Sequence, residues 1–322
     1  MPPTKNWSRN RFRRRLLKWF DEHQRDLPWR LDRDPYRVWL SEIMLQQTRV
    51  AAVVDHYERF LRRFPSLEKL AKAREASVLA AWSGLGYYRR ARMLHAAAKQ
   101  IVQDSGSFPS TASQLRQLPG IGRYTAAAIA SIAFDEPVAV VDGNVERVMQ
   151  RLAGTRITGE DLWRAAQETL SPGRPGDFNQ AMMELGATVC LPKQPKCSLC
   201  PVFQMCPTHG ALPARAPGIR QKKREIKYAL EHRKGAVFLM KRPANASVMP
   251  GMWELPEITG EDNGAQPWLT LRHSITVTDY SVKVVRGATP DRTGGRWIAD
   301  SRLCTLPLTG LARKILRTTK VI

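Results

Sequence analysis

Up to residue 210, apolar residues recur every three or four positions, which is the spacing of one face of an α-helix. One such series runs through Trp39, Leu40, Ile43, Met44, Gln47, Val50 and Val54. Similar series run through Leu67, Leu70, Val78, Leu79 and Trp82, and through Ile129, Ile132 and Ala133. No segment of this part alternates convincingly between apolar and polar residues. We therefore predict that residues 1–206 form an all-α domain.

The pattern changes after residues 207–225, a stretch of Pro, Gly and basic residues that we interpret as a linker. Beyond it, short β-branched or alternating runs bounded by turn residues predict strands at 236–240, 274–277 and 280–285. A short helix is expected at 311–317. Residues 226–322 are therefore predicted to form a small α+β domain.

The net charge of the chain indicates the kind of molecule that it binds. The chain has 51 Lys and Arg against 29 Asp and Glu, a formal net charge of +22. Five of the seven residues from Arg9 to Arg15 are Arg, and such clusters favour a polyanion, either nucleic acid or an anionic membrane face. A generally basic surface without such a partner is the simpler alternative.

Other compositional features narrow the class of protein. No apolar run is long enough to span a membrane, and the Arg-rich start lacks the apolar core of a signal peptide. Five cysteines in 322 residues are too few for a disulfide scaffold. These features predict a cytoplasmic protein in a reducing compartment.

Four of the cysteines, Cys190, Cys197, Cys200 and Cys206, lie within 17 residues with the spacing C-x6-C-x2-C-x5-C. Thiolates this close together can surround one metal centre. Zinc sites usually show two short pairs, whereas only Cys197 and Cys200 form one here. An iron–sulfur cluster tolerates uneven spacing and is therefore favoured over zinc. Four unrelated core cysteines are the remaining alternative.

The segment Leu118–Thr125 (LPGIGRYT) precedes an Ala-rich helical pattern. Gly120 and Gly122 permit a tight turn, and the helix that follows would direct free N–H groups at an anion such as a nucleic-acid phosphate. Because Gly-x-Gly before a helix is common, an ordinary loop–helix junction explains this segment equally well.

Two carboxylates have unusual sequence surroundings. Glu42 lies among large apolar residues, so it is expected to be desolvated and to hold a proton near neutral pH. Asp142 precedes another helix, where Asp is also a preferred N-cap. One protonated and one ionised carboxyl group form the arrangement that cleaves glycosidic bonds.

Together these segments resemble the helix–hairpin–helix DNA glycosylases, and among them the adenine DNA glycosylases of the MutY family. The resemblance covers residues 27–206 almost without a gap. It implies a catalytic domain built as a six-helix barrel with a helix–hairpin–helix, and one 4Fe–4S cluster held by the four cysteines in loop 190–206. The matching segments are LPWR at 27–30, VWLSEIMLQQTRV at 38–50, GLGYY at 84–88, LPGIGRYT at 118–125, VDGNVER at 141–147 and FNQAMMELG at 178–186.

One position separates this chain from the related endonuclease III-type pyrimidine glycosylase/lyases. Those enzymes carry a Lys where this chain has Tyr124, and that Lys forms a Schiff base with the sugar. The resemblance therefore implies a monofunctional glycosylase. An endonuclease III-like glycosylase/lyase is the first alternative, and a non-catalytic DNA-binding protein is the second.

The resemblance also implies roles for individual residues. Glu42 would protonate the adenine ring, and Asp142 would stabilise the sugar cation or trap it covalently. Tyr124 and Asn144 would position these groups, and Gly120 and Gly122 would bind the DNA backbone. The expected base contacts are Trp29 and Arg30 at the adenine, Gln47, Thr48, Leu85 and Tyr87 at the opposite base and the duplex, and Gln180 either at the adenine or supporting its pocket.

The C-terminal part resembles the MutT-like (Nudix-fold) domain of the same family, without the acidic box that binds metal in nucleotide hydrolases. It is therefore expected to bind and not to hydrolyse. The family reads 8-oxoguanine with a Phe-Ser-His loop, and Ile275, Thr276 and Val277 replace it here, with Thr276 still offering a hydroxyl. The expected partner is double-stranded DNA with adenine opposite 8-oxoguanine or guanine, bound by a monomer.

Overall fold

The computed structural model describes residues 8–104, 106–211, 222–246, 249–258, 266–275, 278–287 and 294–322. Residues 212–221 of the predicted linker and residues 276–277 of a predicted strand, including Thr276, lie outside them. The chain divides into two compact units. The first contains residues 1–58, 66–68 and 96–215, and the second contains residues 59–65, 69–95 and 216–322.

The regular structure of the described residues up to 211 is helical, which confirms the all-α prediction. No helix in the described ranges is both long and apolar enough to cross a membrane. The α-helices are α1 (Arg9–His23), α2 (Pro35–Leu45), α3 (Val50–Arg63), α4 (Leu67–Ala71), α5 (Glu75–Ala81), α6 (Arg89–Asp104), α7 (Ala112–Leu115), α8 (Arg123–Phe134), α9 (Gly143–Ala153), α10 (Gly159–Thr169) and α11 (Pro175–Thr188). Short 3₁₀ helices occupy Pro28–Arg30, Cys197–Leu199 and Phe203–Met205.

The apolar series from Trp39 to Val54 belongs to two helices and not to the single helix that its spacing suggests. α2 ends at Leu45 and α3 begins at Val50. Between them Gln47 adopts a left-handed conformation with φ of 56°, which stops the first helix and turns the chain. Spacing could not show this break, because the apolar series keeps its period on both sides of the turn.

One core of the first unit is formed by α1, α9, α10 and α11 with the segment that follows α11. The apolar face of α1 supplies Phe12, Leu16 and Phe20 to it. Arg13 extends across the end of α10, where its Nε donates to the carbonyl of Thr169 and its Nη2 to that of Glu168, both at 3.0 Å. This arginine therefore satisfies carbonyls that the end of a helix leaves without partners.

Beyond residue 221 the second unit contains two sheets, whose strands are β1 (Lys222–Leu230), β2 (His232–Arg233), β3 (Ala236–Lys241), β4 (Trp253–Glu254), β5 (Leu269–Ile275), β6 (Thr278–Arg286) and β7 (Gly295–Ala299). β6 lies between β1 and β5, parallel to β1 and antiparallel to β5. β3 pairs antiparallel with β2, β4 and β7. The helices here are α12 (Asp300–Leu303) and α13 (Gly310–Thr318).

The predicted strands at 236–240 and 280–285 and the predicted helix at 311–317 correspond to β3, β6 and α13. β1 begins at Lys222, so the last residues of the predicted linker belong to a strand. Its first half is nearly all charged, which hides the alternation of Ile226, Tyr228 and Leu230. The core of this region joins Tyr228, Val237, Val282 and Val284 to the apolar face of α13.

Candidate active site

A cavity of about 540 Å³ opens in the first unit. Its walls are the 3₁₀ helix at Pro28–Arg30, the helices α2 and α11, the turn after α2, and the first residues of α8 and α9. The structure therefore brings together many of the residues singled out in the sequence, namely Trp29, Arg30, Glu42, Gln47, Thr48, Tyr124, Asp142, Asn144 and Gln180.

Glu42 is a buried carboxyl group that lines this cavity. It lies in the last turns of α2 and only 6% of its surface is exposed, which confirms the predicted desolvation. The Tyr124 hydroxyl donates to its Oε2 at 2.5 Å. Burial raises the pKa of Glu42 to about 7; the bond from Tyr124 opposes this rise and the nearby charge of Asp142 adds to it. Glu42 can therefore hold a transferable proton near neutral pH.

Asp142 is the N-cap of α9 and also lines the cavity. Its Oδ1 accepts from the backbone N–H groups of Asn144 at 2.9 Å and Val145 at 2.7 Å, and its Oδ2 accepts from the Asn144 side-chain amide at 3.0 Å. Burial raises the pKa of Asp142, and these bonds with the charge of Arg147 oppose the rise. Because three N–H donors favour the ionised form, Asp142 is better suited than Glu42 to carry a negative charge.

Asn144 is fixed from both sides. Its side-chain oxygen accepts from Nη2 of Arg147 at 2.8 Å, and the same nitrogen donates to the Gly186 carbonyl at 2.6 Å. Gly186 lies so close to α9 that an added Cβ would be 2.6 Å from the Cβ of Asn144. The glycine in FNQAMMELG thus permits the close approach of α11 to Asn144 in the first turn of α9.

Glu184 and Arg25 are cavity residues that the sequence reasoning missed. Glu184, with 1% of its side chain exposed, accepts from Arg25 at 2.6 Å and 2.8 Å and from Arg30 at 2.9 Å. These ion pairs lower the pKa of Glu184 although its burial acts in the opposite direction. No local sequence pattern indicates this cluster, because Arg25 and Arg30 lie 159 and 154 residues from Glu184 in the chain. Gln46, also missed, lines the cavity and donates to the hydroxyl of Thr125 at 3.2 Å.

The three residues that the resemblance places at the adenine, Trp29, Arg30 and Gln180, differ from one another in burial and in hydrogen bonding. Trp29 is buried and packs edge-on against Tyr57, with ring centroids 5.5 Å apart. Arg30 is held by Glu184 and by the carbonyl of Arg25, and its guanidinium lies 5.3 Å from the ring centroid of Phe20. Gln180 is only partly buried. All three side chains line the cavity.

The predicted hairpin is a turn between α7 and α8. Gly120 has φ of 76°, a conformation that a residue with a side chain rarely adopts. Gly122 is the exposed N-cap of α8 and offers no side chain to the first N–H groups of the helix. An anion can therefore approach these N–H groups directly.

Leu85 and Tyr87 belong to the second unit and do not line the 540 Å³ cavity. Leu85 is buried, whereas Tyr87 is 41% exposed and has a backbone φ of 46°. The turn is braced by Nη2 of Arg90, which donates to the Leu85 carbonyl at 3.1 Å, and by the indole of Trp82, which donates to the Gly86 carbonyl at 3.2 Å.

The four neighbouring cysteines follow α11 and are partly buried. They are near enough to one another that the other three thiols contribute to raising the pKa of Cys200, after the larger effect of burial. Arg151 donates from Nη1 to the Cys190 sulfur at 3.1 Å. Within the described residues, however, no group of three or more His, Cys, Asp and Glu side chains is arranged to hold a metal ion.

The chain matches one family model and is similar in sequence to several adenine DNA glycosylases. Residues 40–172 match the family described as HhH-GPD superfamily base excision DNA repair protein. The chain is 36% identical to the adenine DNA glycosylase of Mus musculus over 95% of its own length and 77% of that protein. It is 51% identical to the Rattus norvegicus adenine DNA glycosylase, over 62% of its own length and 42% of that protein.

Solved structures support the fold of the helical part. A thermostable thymine-DNA glycosylase, 30% identical in sequence, superimposes with a TM-score of 0.59 and covers 62% of this chain and 96% of its own. A non-covalent endonuclease III–DNA complex, 21% identical, gives a TM-score of 0.54 over 63% of this chain and 97% of its own. The second similarity concerns the fold alone.

Proposed function

Since this chain belongs to the adenine DNA glycosylases, a family of base-excision repair enzymes in the HhH-GPD superfamily, we propose that it hydrolyses the glycosidic bond of adenine paired with 8-oxoguanine or guanine in DNA. The observation that carries this proposal is the buried carboxyl group of Glu42 and the partly buried carboxyl group of Asp142 in one cavity. Burial raises the pKa of Glu42 to about 7, while the three N–H donors to Asp142 oppose the rise that burial causes in its pKa and favour its ionised form.

Glu42 and Asp142 act on different parts of the substrate during hydrolysis. Glu42 donates its proton to a ring nitrogen of adenine, so the base leaves as a neutral molecule. The positive charge that develops on the sugar is stabilised by the Asp142 carboxylate, either electrostatically or through a transient covalent bond. Water then adds to the anomeric carbon, and its proton returns to a carboxylate. The Tyr124 phenol cannot form a Schiff base, so the strand is left uncut.

DNA is the proposed partner. The excess of 22 positive charges attracts a polyanion, and the exposed N-terminus of α8 after Gly122 accepts a phosphate. The adenine must leave the base stack to enter the cavity, where Trp29, Arg30 and Gln180 would contact it. Gln47, Thr48, Leu85 and Tyr87 are proposed to contact the opposite base and the duplex.

The C-terminal sheets with α13 are proposed to form a MutT-like domain that recognises the base opposite the adenine. The absence of an acidic Nudix box from the sequence argues for recognition without hydrolysis. Thr276, the proposed hydroxyl donor to 8-oxoguanine, lies outside the described residues.

A 4Fe–4S cluster is the proposed cofactor. Four thiols on one 17-residue segment have the chemistry that such a cluster requires, and Arg151 beside Cys190 would compensate the negative charge of its thiolate. The ligands would be Cys190, Cys197, Cys200 and Cys206. Bound there, the cluster would crosslink the segment after α11; no step of the base excision requires it.

The proposed activity is tested with duplexes that carry adenine opposite 8-oxoguanine, adenine opposite guanine, or thymine opposite guanine, each assayed with and without alkali. Strand breakage at adenine only after alkali is the expected result. Breakage without alkali would identify a glycosylase/lyase instead. Release of thymine in preference to adenine would overturn the proposed substrate, and no breakage under any condition would indicate a non-catalytic DNA-binding protein.

A further inference from the structure

The chain that leads into Asp142 connects the end of α8 to the start of α9 without regular secondary structure, over residues 135–142. Ala139 and Val140 in this segment are nevertheless buried, with 3% and 1% of their surfaces exposed. Buried backbone N–H groups outside helices and sheets need other hydrogen-bond acceptors, because an unpaired buried N–H is costly. In this segment the acceptors come from two side-chain amides on neighbouring helices.

Gln167 of α10 holds two alternate residues of the segment. Its Oε1 accepts from the N–H of Ala139 at 2.8 Å, and its Nε2 donates to the carbonyl of Pro137, also at 2.8 Å. One amide side chain therefore supplies the donor and the acceptor that a neighbouring strand would supply. Gln167 itself is exposed to solvent.

Asn179 of α11 holds the other two residues. Its Oδ1 accepts from the N–H of Val140 at 3.1 Å, and its Nδ2 donates to the carbonyl of Val138 at 2.9 Å. The same Nδ2 donates to the hydroxyl of Ser131 in α8 at 2.9 Å. Because only 2% of Asn179 is exposed, it is the buried counterpart of Gln167.

The position of Asn179 depends on how closely α11 approaches α8. Gly176 lies one turn before Asn179, and an added Cβ there would be 2.5 Å from the carbonyl oxygen of Ser131 and 2.8 Å from the Cα of Ile132. Any side chain at residue 176 would therefore push the two helices apart. The close approach brings the short side chain of Asn179 within hydrogen-bonding distance of both α8 and the segment.

Two sets of hydrogen bonds fix Asp142 as a result. On one side its carboxylate caps α9 and accepts from the N–H groups of Asn144 and Val145. On the other side one residue separates it from Val140, whose N–H is bonded to Asn179. A shift of the segment would therefore move the backbone of Asp142 relative to its N–H donors and relative to the cavity.

We propose that Asn179 and Gln167 are positioning residues for base excision, which hold the Asp142 carboxylate where the positive charge of the sugar develops. Neither side chain lines the 540 Å³ cavity, so both act through the backbone of the segment and not by touching the substrate. This inference rests on the proposed function, because it uses the role of Asp142 in hydrolysis. It adds two residues outside the cavity to those that determine the rate.

The first test compares three variants of the full-length protein on a duplex with adenine opposite 8-oxoguanine. N179A removes the buried amide, Q167A removes the exposed amide, and I101A removes a buried apolar side chain of α6 as a control for lower stability. N179A is expected to lower the single-turnover rate by about 10²-fold, the loss typical of a misplacement of about 1 Å. Q167A should lower it less. The affinity for the duplex should equal that of the wild type in all three variants.

The pH profile of the rate separates positioning from a loss of stability. In N179A the N–H bonds to Asp142 weaken, so its pKa rises and the acidic limb of the profile moves to higher pH. I101A should melt at a lower temperature than the wild type and keep the wild-type acidic limb. An unshifted limb in N179A, or an equal shift in I101A, would overturn the proposal. The other titratable groups that face Asp142 are unchanged in these variants, namely Glu42, Tyr124 and Arg147.

The second test needs no catalysis and measures hydrogen exchange by mass spectrometry well below all melting transitions. The amides of Asn144 and Val145, which donate to Asp142, should exchange faster in N179A and Q167A than in the wild type, and at the wild-type rate in I101A. Unchanged exchange of these amides in N179A would overturn the proposal. Faster exchange together with a wild type that excises no base would support the positioning of Asp142 and overturn the proposed function. Should N179A fail to fold, Q167A decides by the same two measurements, because its side chain is exposed.

Discussion

At the scale of single residues, the proton on Glu42 determines the expected pH dependence. Because burial raises the pKa of Glu42 to about 7, the group loses its proton above that pH. The single-turnover rate of adenine excision should therefore be highest on the acidic side of this value, fall about tenfold per pH unit above it, and fall again at the lower pH where Asp142 gains a proton. E42Q keeps the shape but lacks the acid, and should show no excision at any pH.

Tyr124 provides the matched control for that profile. Its hydroxyl donates to the Glu42 carboxylate and so favours the ionised form. In Y124F this stabilisation is lost, the pKa of Glu42 rises further, and the alkaline limb of the profile should move to higher pH. A profile that moves in the opposite direction, or an alkaline limb unaffected by either substitution, would show that another group supplies the proton.

Asp142 combines two roles that one substitution can separate. As an N-cap it is replaceable by Asn, which caps helices equally well. As the charge that faces the sugar cation it is not replaceable, and loss of such a group typically lowers a rate by about 10²–10³-fold. D142N is therefore expected to melt near the wild-type temperature yet react slowly in single-turnover assays. A fully active D142N protein would leave Asp142 only its structural role.

Glu42 and Asp142 could be identified from their sequence surroundings, whereas Glu184 could not. Glu42 could be recognised because apolar neighbours on the same helix bury it, and Asp142 because it precedes a helix. Glu184 buries its charge only because Arg25, 159 residues away, and Arg30 reach it. Such a pairing is set by how α11 packs in the tertiary structure, and no local pattern reports it.

At the scale of elements, the contact between α9 and α11 depends on the missing side chain of Gly186. In G186A the new methyl group would collide with Asn144, so either the helices separate or Asn144 moves. We expect a loss of stability of about 1–3 kcal/mol and a slower excision rate. Gly173→Ala, where an added Cβ meets nothing within 4 Å, is the control and should leave the melting temperature unchanged.

The arginines of α1 show that a basic cluster in the sequence can serve the fold. Arg13 satisfies two carbonyls at the end of α10, whereas Arg14 on the same helix is exposed. R13M should lower the free energy of unfolding by about 1–3 kcal/mol. R14M should have no such effect, and equal melting temperatures for the two variants would contradict this assignment.

Element types were more predictable than their limits. Helical spacing before residue 210 and strand patterns after 225 identified the right class of structure, because burial of one face follows the period of each element. The turn at Gln47 and the charged first half of β1 were not predictable. The strand β1 depends on pairing with β6, which is distant in the sequence, and the apolar period continues unbroken through the turn at Gln47.

At the scale of the whole molecule, the proposed cluster can be tested by measuring the metal content of the purified protein. The purified protein should be brown and contain about four irons per chain. Cys200→Ser should reduce the iron content, whereas Cys304→Ser, which changes an exposed cysteine outside the group, should not. A colourless protein with one zinc per chain would show that the four cysteines bind zinc and not an iron–sulfur cluster.

The parallel pairing of β1 with β6 has a consequence for synthesis of the chain. Lys222 pairs with Thr278, so β1 leaves the ribosome 56 residues before its partner strand. At about 5–20 residues per second, this separation corresponds to about 3–11 s during which one edge of β1 has no neighbour. Charged side chains on a strand edge oppose pairing with other chains. The Lys and Arg side chains in the first half of β1 are therefore expected to protect the nascent chain from aggregation during this interval.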